Sequence, residues 1–321
     1  AGGPRAFKYG VTREYILGLE VVLMGGETLR CGRRTAKGVT GYDLVAGFVG
    51  TEGTFGVMTE LTVKLLPNPP AAATVLAIFK DSASAGAAIS GLLRDGLRPR
   101  VLEIADKSSI DYVRPKSRYR FPDNAGAIVL LEVDGEADAM ALMMEKIGMR
   151  CDELGALDVL AATEPADRRA LWEARRMISP ALKAAWRIKV NEDVCVPRGR
   201  IVEMLARVDQ VSAETGIATA VFGHAGDGNL HVNLLSNDNP DDPAVRTKMW
   251  AAAERVFAHT IALGGTLSGE HGIGLTKRDY MRMEQTEQVL EWQRKWKAMW
   301  DPANLLNPGK KIPPARSHCS E

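Results

Sequence analysis

Residues 218–235 read ATAVFGHAGDGNLHVNLL, two β-prone apolar runs separated by a knot of glycine and aspartate. Asp227-Gly228 is a strong hairpin signal, because a type I′ turn needs positive φ at both central positions and this dipeptide adopts it readily. With that dipeptide as the turn, Gly226 pairs with Asn229, Ala225 with Leu230 and His224 with His231. Two histidines then face each other on one side of an antiparallel sheet, with Cβ atoms about 5 Å apart. From that separation two imidazoles can converge on one metal ion. Taken alone, the pair reads more readily as two hydrogen-bonded histidines beside a turn.

Strands and helices alternate outward from this hairpin. Upstream, strands are expected at 74–79, 101–104, 127–133 and 157–162, with helices at 83–93, 136–153 and 165–177. Two strands between two helices make a split βαβ, the ferredoxin-like unit. A second unit is expected from a strand at 188–196, a helix at 200–215, the hairpin itself and a helix at 244–263. The fold class is α+β, with the middle of the chain one antiparallel sheet covered by helices. Residues 1–68 are richer in glycine and predict a small sheet, with strands at 15–23 and 61–66 stopped by Pro67, Pro69 and Pro70. The tail carries residues 268–274, a tryptophan-containing helix over 277–300 and an Asn- and Pro-rich stretch at 301–311. Domain boundaries are therefore expected at 1–68, 69–265 and 266–321.

Composition removes several functional classes. The 321 residues carry 41 Lys+Arg against 40 Asp+Glu, a net charge of +1, so no overall basic field draws nucleic acid or anionic membrane. No apolar run approaches the ~20 residues that cross a bilayer. The opening residues show neither a signal nor a transit pattern. Together these predict a cytoplasmic protein, at most peripheral to the inner membrane. Cys31, Cys151, Cys195 and Cys319 form no CxxC pair, which argues against a zinc ribbon or an iron–sulfur ligand set.

A further ligand is offered by Ser268-Gly269-Glu270-His271-Gly272-Ile273-Gly274, where glycines let the backbone expose a carboxylate and an imidazole side by side. Glu270 can complete a two-histidine, one-carboxylate metal site, and His271 can act as a general base near neutral pH. The stretch reads also as a surface turn. Arginine grips carboxylates in two-point fashion, and Arg175 and Arg176 follow Trp172 on one helix, where they also suit a solvated face. His259 is expected in core or surface and His318 in the tail. The loop Gly50-Thr51-Glu52-Gly53-Thr54-Phe55-Gly56-Val57 is neither a Walker nor a dinucleotide fingerprint. It can still set backbone amides against a flat or charged group.

Taken together, AGGPRAFKYG, GYDLVAGFVGTEGTFGVMTELTVKLLP, WEAR, NEDVCVP, GHAGDGNLHVN, SGEHGIG and DPANLLNPGK resemble the FAD-linked D-2-hydroxy-acid dehydrogenases of the vanillyl-alcohol-oxidase-like superfamily. The pieces occur in family order along nearly the whole chain, without the N-terminal subdomain that wraps the FAD pyrophosphate. The resemblance implies the second half of an FAD-binding domain, then a substrate-binding cap domain, then a C-terminal segment returning to the flavin. It implies FAD lined by Gly3, Glu52, Gly53, Gly56 and Val57, with Asn307 near the isoalloxazine ring. It also implies a divalent zinc or manganese ion on His224, His231 and Glu270. The substrate carboxylate would lie on Arg175 and Ser179 with Asn233 in the same pocket, and His271 would take the hydroxyl proton.

Asn191 stands where hydroxyglutarate-selective relatives carry a lysine, which favours D-lactate or glycolate. Lys189 is two residues earlier on the same strand face and could restore a dicarboxylate preference. Electrons would pass on to a quinone, a cytochrome or an electron-transfer protein, and a homodimer or a partner subunit is expected. The alternatives are a truncated, flavin-free assembly subunit and, more remotely, a non-haem iron oxygenase using His224, His231 and Glu270.

Overall fold

The computed structural model describes residues 2–316, so that His318 and Cys319 lie outside the described residues. The chain divides into two compact units. The smaller holds Val11–Pro67 and residues 270–316, and the larger holds Gly2–Gly10 and Asn68–Gly269. The sequence groups residues 2–10 with the stretch that follows them. They go instead with the larger unit, because Lys8 and Tyr9, in or ending the short helix α1 (Ala6–Tyr9), both donate to the buried Asp134 carboxylate.

In the smaller unit, β1 (Ile16–Val22) is the centre of a three-stranded antiparallel sheet, flanked by β2 (Thr28–Gly32) and β3 (Val57–Val63). Gly26 takes φ 83° in the turn that joins β1 to β2, a conformation that favours glycine. β1 turns Leu19 and Val21 onto Val45 and Phe48 of α2 (Leu44–Phe48), whose N-terminus Asp43 caps by accepting from the Ala46 amide. β3 begins and ends earlier than its apolar run at 61–66 predicts.

The larger unit opens with β4 (Ala71–Phe79), α3 (Ser82–Arg94), β5 (Val101–Asp106), α4 (Lys107–Val113), β6 (Ala127–Gly135), α5 (Ala137–Glu153) and β7 (Asp158–Ala162). Then come α6 (Pro165–Ala185), β8 (Ile188–Cys195), α7 (Ile201–Thr215), β9 (Ala218–His224), β10 (Asn229–Ser236) and α8 (Pro243–Ala262). The strands make one antiparallel sheet in the order β7-β4-β6-β5-β9-β10-β8. The first four give the ferredoxin-like order and the last three a second, shorter set. The two sets meet at a seam of three pairs: Glu103 with His224, Ile104 with Gly223 and Ala105 with Phe222.

One sheet face presents Leu76, Ile78, Val101, Ala105, Leu130, Ala220 and Phe222 to Ile110 and Val113 of α4 and to Ala174, Ile178 and Leu182 of α6. Each Leu, Ile, Val or Phe among them removed from water contributes about 1.5–3 kcal/mol. The sequence pattern predicts that α6 stops at 177. It runs through the exposed Pro180 to Ala185, because its buried face continues with Ala181 and Leu182. That burial offsets the hydrogen bond a mid-helix proline removes. On the other face α3, α5, α7 and α8 pack against the strands and each other.

Back in the smaller unit, the single helix expected over 277–300 is two: α9 (Met281–Glu284) and α10 (Glu287–Trp300). Thr286 breaks them by capping α10, its hydroxyl accepting from the Val289 amide. Trp300 closes this core over Phe48, ring centroids 4.7 Å apart. Among the described residues no helix is long and apolar enough to cross a membrane, and Cys31, Cys151 and Cys195 are free thiols.

Candidate active site

The hairpin between β9 and β10 forms, but with a different register from the expected one. Ala225 to Gly228 make a four-residue turn, in which the amides of Asp227 and Gly228 both donate to the His224 carbonyl. His224 therefore pairs with Asn229, and His231 with Phe222. Two tertiary contacts open the turn. The Gly226 amide donates to the Leu102 carbonyl of β5, and Gly228, at φ 82°, packs so closely on the residue that follows β8 that a Cβ there would stand 1.9 Å from the Val196 carbonyl oxygen. His224 and His231 are diagonal neighbours rather than opposed, yet on one face. Their rings lie 5.3 Å apart and nearly perpendicular, and both residues are buried.

Directly across the seam from His224 stands Glu103, a carboxylate that belongs to none of the sequence motifs. Its side chain is 2% exposed. One oxygen lies 2.5 Å from His224 Nδ1, and the other accepts from Arg175 Nε at 2.8 Å and Nη2 at 2.7 Å. The Arg175 guanidinium also lies over the Phe222 ring, 4.4 Å from its centroid. A signal for Glu103 did exist in the sequence. A lone carboxylate on the apolar strand Val101-Leu102-Glu103-Ile104-Ala105 can be buried only against a donor.

Along the same face toward β4 lies a second group of charges. Glu132 accepts from Arg100, Arg168, the Trp172 indole and the Thr74 hydroxyl. Asp134 accepts from Lys8, Tyr9 and Arg100. Burial alone would raise both carboxyls, but these donors hold both below the ordinary carboxylate range. A cavity of about 660 Å³ runs between the two groups, walled by Arg100, Glu103, Glu132, Trp172, Arg175 and His224. Exposed Arg169 and Arg176 stand at its margin, so its charge favours an anion.

On the β8 side, buried Asp193 accepts from Asn229 Nδ2 and from the Ser268 hydroxyl. Asn233 is fully buried and donates to the carbonyls of Ala220 and His231, while its Oδ1 has no partner. Asn191, its cross-strand pair, has the same orphaned Oδ1. Two buried acceptors on neighbouring strands suit an O–H or N–H donor from a ligand. Ser179, one turn beyond Arg175, accepts from Lys189 Nζ at 3.0 Å. Burial, and then the nearby Lys183 charge, push that ammonium below its ordinary range.

In the smaller unit Glu52 has φ 55°, and its carboxylate accepts from the amides of Ile273 and Gly274 and from Lys311. Burial opposes ionisation, but these donors hold its carboxyl low. Its role there is to tie the glycine loop to the segment that carries Glu270 and His271, both in this unit. Asn307 Nδ2 donates to the Glu52 carbonyl and closes on Gly53, where a Cβ would stand 2.7 Å from that nitrogen. Gly56 is required by packing, since a Cβ would meet Val21 at 2.4 Å, and Val57 is exposed.

Glu270 follows Gly269 of the larger unit directly in the chain. Gly3, in the larger unit, has φ 72° and open space where a Cβ would stand, which suits close approach of a flat ring such as a flavin. The donor set of the larger unit likewise fits a borderline cation. It has two buried imidazoles side by side, one of them backed by a carboxylate at Nδ1.

A family model described as "FAD linked oxidases, C-terminal domain" matches residues 68–311. The glycolate oxidase subunit GlcD of Bacillus subtilis (strain 168) is 38% identical over 97% of this chain, which spans 66% of that protein. A D-lactate dehydrogenase of Anaerostipes hadrus is 33% identical over 97% of the chain, again with 66% of its own length matched. The chain thus spans just under two thirds of these relatives. Among solved structures, 4-ethylphenol oxidase from Gulosibacter chungangensis superposes over 96% of the chain and 68% of its own, with TM-score 0.68 and 18% identity, a likeness of fold.

Proposed function

We propose, for a chain that belongs to the FAD-linked oxidase family through its C-terminal domain, that it oxidises a small D-2-hydroxy acid to the 2-oxo acid. The observation that carries the reading is the wall of the 660 Å³ cavity, where an arginine and a buried imidazole are held by one carboxylate. Arg175 offers its terminal Nη edge to the substrate carboxylate, while Glu103 occupies the Nε edge. A two-point grip of this kind fixes which face of C2 is presented. Ser179 stands one helical turn away to share that carboxylate, and Asn233 supplies an acceptor for a substrate hydroxyl.

His224, His231 and Glu270 would hold a divalent zinc or manganese ion, and Gly3, Glu52, Gly53, Gly56, Val57 and Asn307 would line FAD. When bound, the flavin supplies the hydride acceptor and the metal stabilises negative charge on the hydroxyl oxygen. His271 takes the hydroxyl proton on its ring nitrogen. D-Lactate or glycolate is favoured over 2-hydroxyglutarate, since Asn191 is uncharged and Lys189 is engaged by Ser179. The onward acceptor is a quinone, a cytochrome or an electron-transfer protein.

The test is a visible spectrum of the FAD-reconstituted protein before and after anaerobic addition of D-lactate, glycolate and D-2-hydroxyglutarate in turn. Absorbance near ~450 nm that bleaches with D-lactate or glycolate is expected. A flavin that binds and bleaches with none of the three overturns the reading. A protein that stays colourless supports a flavin-free assembly subunit instead.

A further inference from the structure

We propose that Glu103 is the positioning residue of this site, one carboxylate that sets both the metal-binding edge of His224 and the anion-binding edge of Arg175. The inference rests on the proposed hydroxy-acid and metal site for its purpose, and on the geometry of the larger unit for its substance. A carboxylate 2% exposed is stable only with donors around it. Glu103 has three: His224 Nδ1 on one oxygen, and Arg175 Nε and Nη2 on the other.

An ionised carboxylate accepts and cannot donate, so the proton of a neutral His224 must sit on Nδ1. Nε2 then carries the lone pair, as a metal ligand requires, and the carboxylate behind the ring raises its basicity. The same carboxylate takes the side edge of the Arg175 fork, while the Phe222 ring at 4.4 Å fixes the guanidinium plane. What Arg175 can offer to an anion is thereby reduced to its terminal edge. Both effects follow from the seam register that pairs Glu103 with His224. A slip of one residue would turn Glu103 to the opposite face.

Glu103→Gln separates positioning from bulk. The glutamine carbonyl must accept from Arg175, which turns its NH2 toward His224 and forces Nδ1 to become the acceptor. The tautomer reverses, and Nε2 carries the proton. Long-range 1H–15N spectra of the metal-free full chain at pH 8.5 read this directly, because the two tautomers give distinct nitrogen shifts. The expected result is Nδ1–H at His224 in the wild type and Nε2–H in Glu103→Gln. Zn2+ affinity, measured by chelator competition, is expected to be ~10–100-fold weaker in the variant. Arg175→Met, which leaves the carboxylate on His224, should keep the wild-type tautomer.

Nε2–H at His224 in the wild type overturns the proposal, and so does a folded Glu103→Gln chain with an unchanged tautomer. If that variant does not fold, the wild-type and Arg175→Met spectra decide. A wild-type chain that binds no Zn2+ or Mn2+ and yet shows Nδ1–H would remove the metal from the proposed function and leave the positioning role of Glu103 intact.

Discussion

Glu132 and Glu103 stand on one face of the same sheet, both almost fully buried and both facing arginine, yet they anchor different kinds of structure. Around Glu132 and Asp134 every acceptor is met by a side chain of the fold: Arg100, Arg168, Trp172, Thr74, Lys8 and Tyr9. Around Glu103 the donors are fewer, His224 and Arg175, and both belong to the proposed ligand site. The first cluster is closed and fixes α1 and α6 to the sheet. The second is open in the sense that its donors are the groups proposed to meet a ligand. The difference lies in the number and kind of donors, because burial and charge are alike.

The largest effect expected from this contrast is on stability. Glu132→Ala leaves Arg100 and Arg168 facing each other without their carboxylate, and removing one side of a buried pair costs about 3–5 kcal/mol. Chemical denaturation should show that loss. A cost under ~1 kcal/mol would break the distinction between a closed and an open cluster.

Next in size is a pH effect. The burial of Asp106, against the amide hydrogen bonds from Ser109 and Val221, pushes its carboxyl up to about 6. A raised carboxyl favours the fold below the unfolded value near ~4, and that contribution is lost as pH rises through about 6, up to about 3 kcal/mol. Glu132 and Asp134 have the opposite sign. Held low, they stabilise above ~4 and lose that contribution as pH falls further. Stability should rise from pH 7 toward pH 5 and fall below pH 4. Asp106→Asn should flatten only the upper limb, and Glu132→Gln should flatten part of the lower one. An unchanged upper limb in Asp106→Asn would sink that assignment.

Smaller still is Arg175→Lys. It keeps a positive charge beside Glu103 but loses the second fork, so glycolate binding by calorimetry should weaken about tenfold with a melting temperature within a few degrees of wild type. A large loss of stability with unchanged binding would place Arg175 in the closed class. The smallest change is a control far from both clusters. Asp81→Ala removes the cap that accepts from Ser84 at the start of α3 and should cost about 1 kcal/mol with no change in ligand binding.

Much of the fold was legible because it depends on local pattern. The strand and helix periods of residues 71–263 identify nearly every element of the larger unit, and the hairpin signal marks the turn between β9 and β10. The misreadings occur where a distant contact overrides a local preference. Asp227-Gly228 would make a two-residue turn in isolation, but the Leu102 carbonyl and the Val196 backbone stretch it to four. Pro180 would end a free helix, but the apolar face of α6 carries on past it. β2 and α4 escaped notice because they are short and lack a strong period.

The sequence by itself determined the chemistry available to this protein. It placed two histidines and two asparagines on one hairpin, a carboxylate beside an imidazole at Glu270-His271, an arginine on an amphipathic helix, and an α+β alternation to carry them. Only the tertiary structure decided which of these act together. The seam between β5 and β9 sets Glu103 against His224 and brings Arg175 to the same carboxylate, across 121 and 72 residues of chain respectively. Strand pairing at such separations is set by the packing of whole faces, and no local period encodes it.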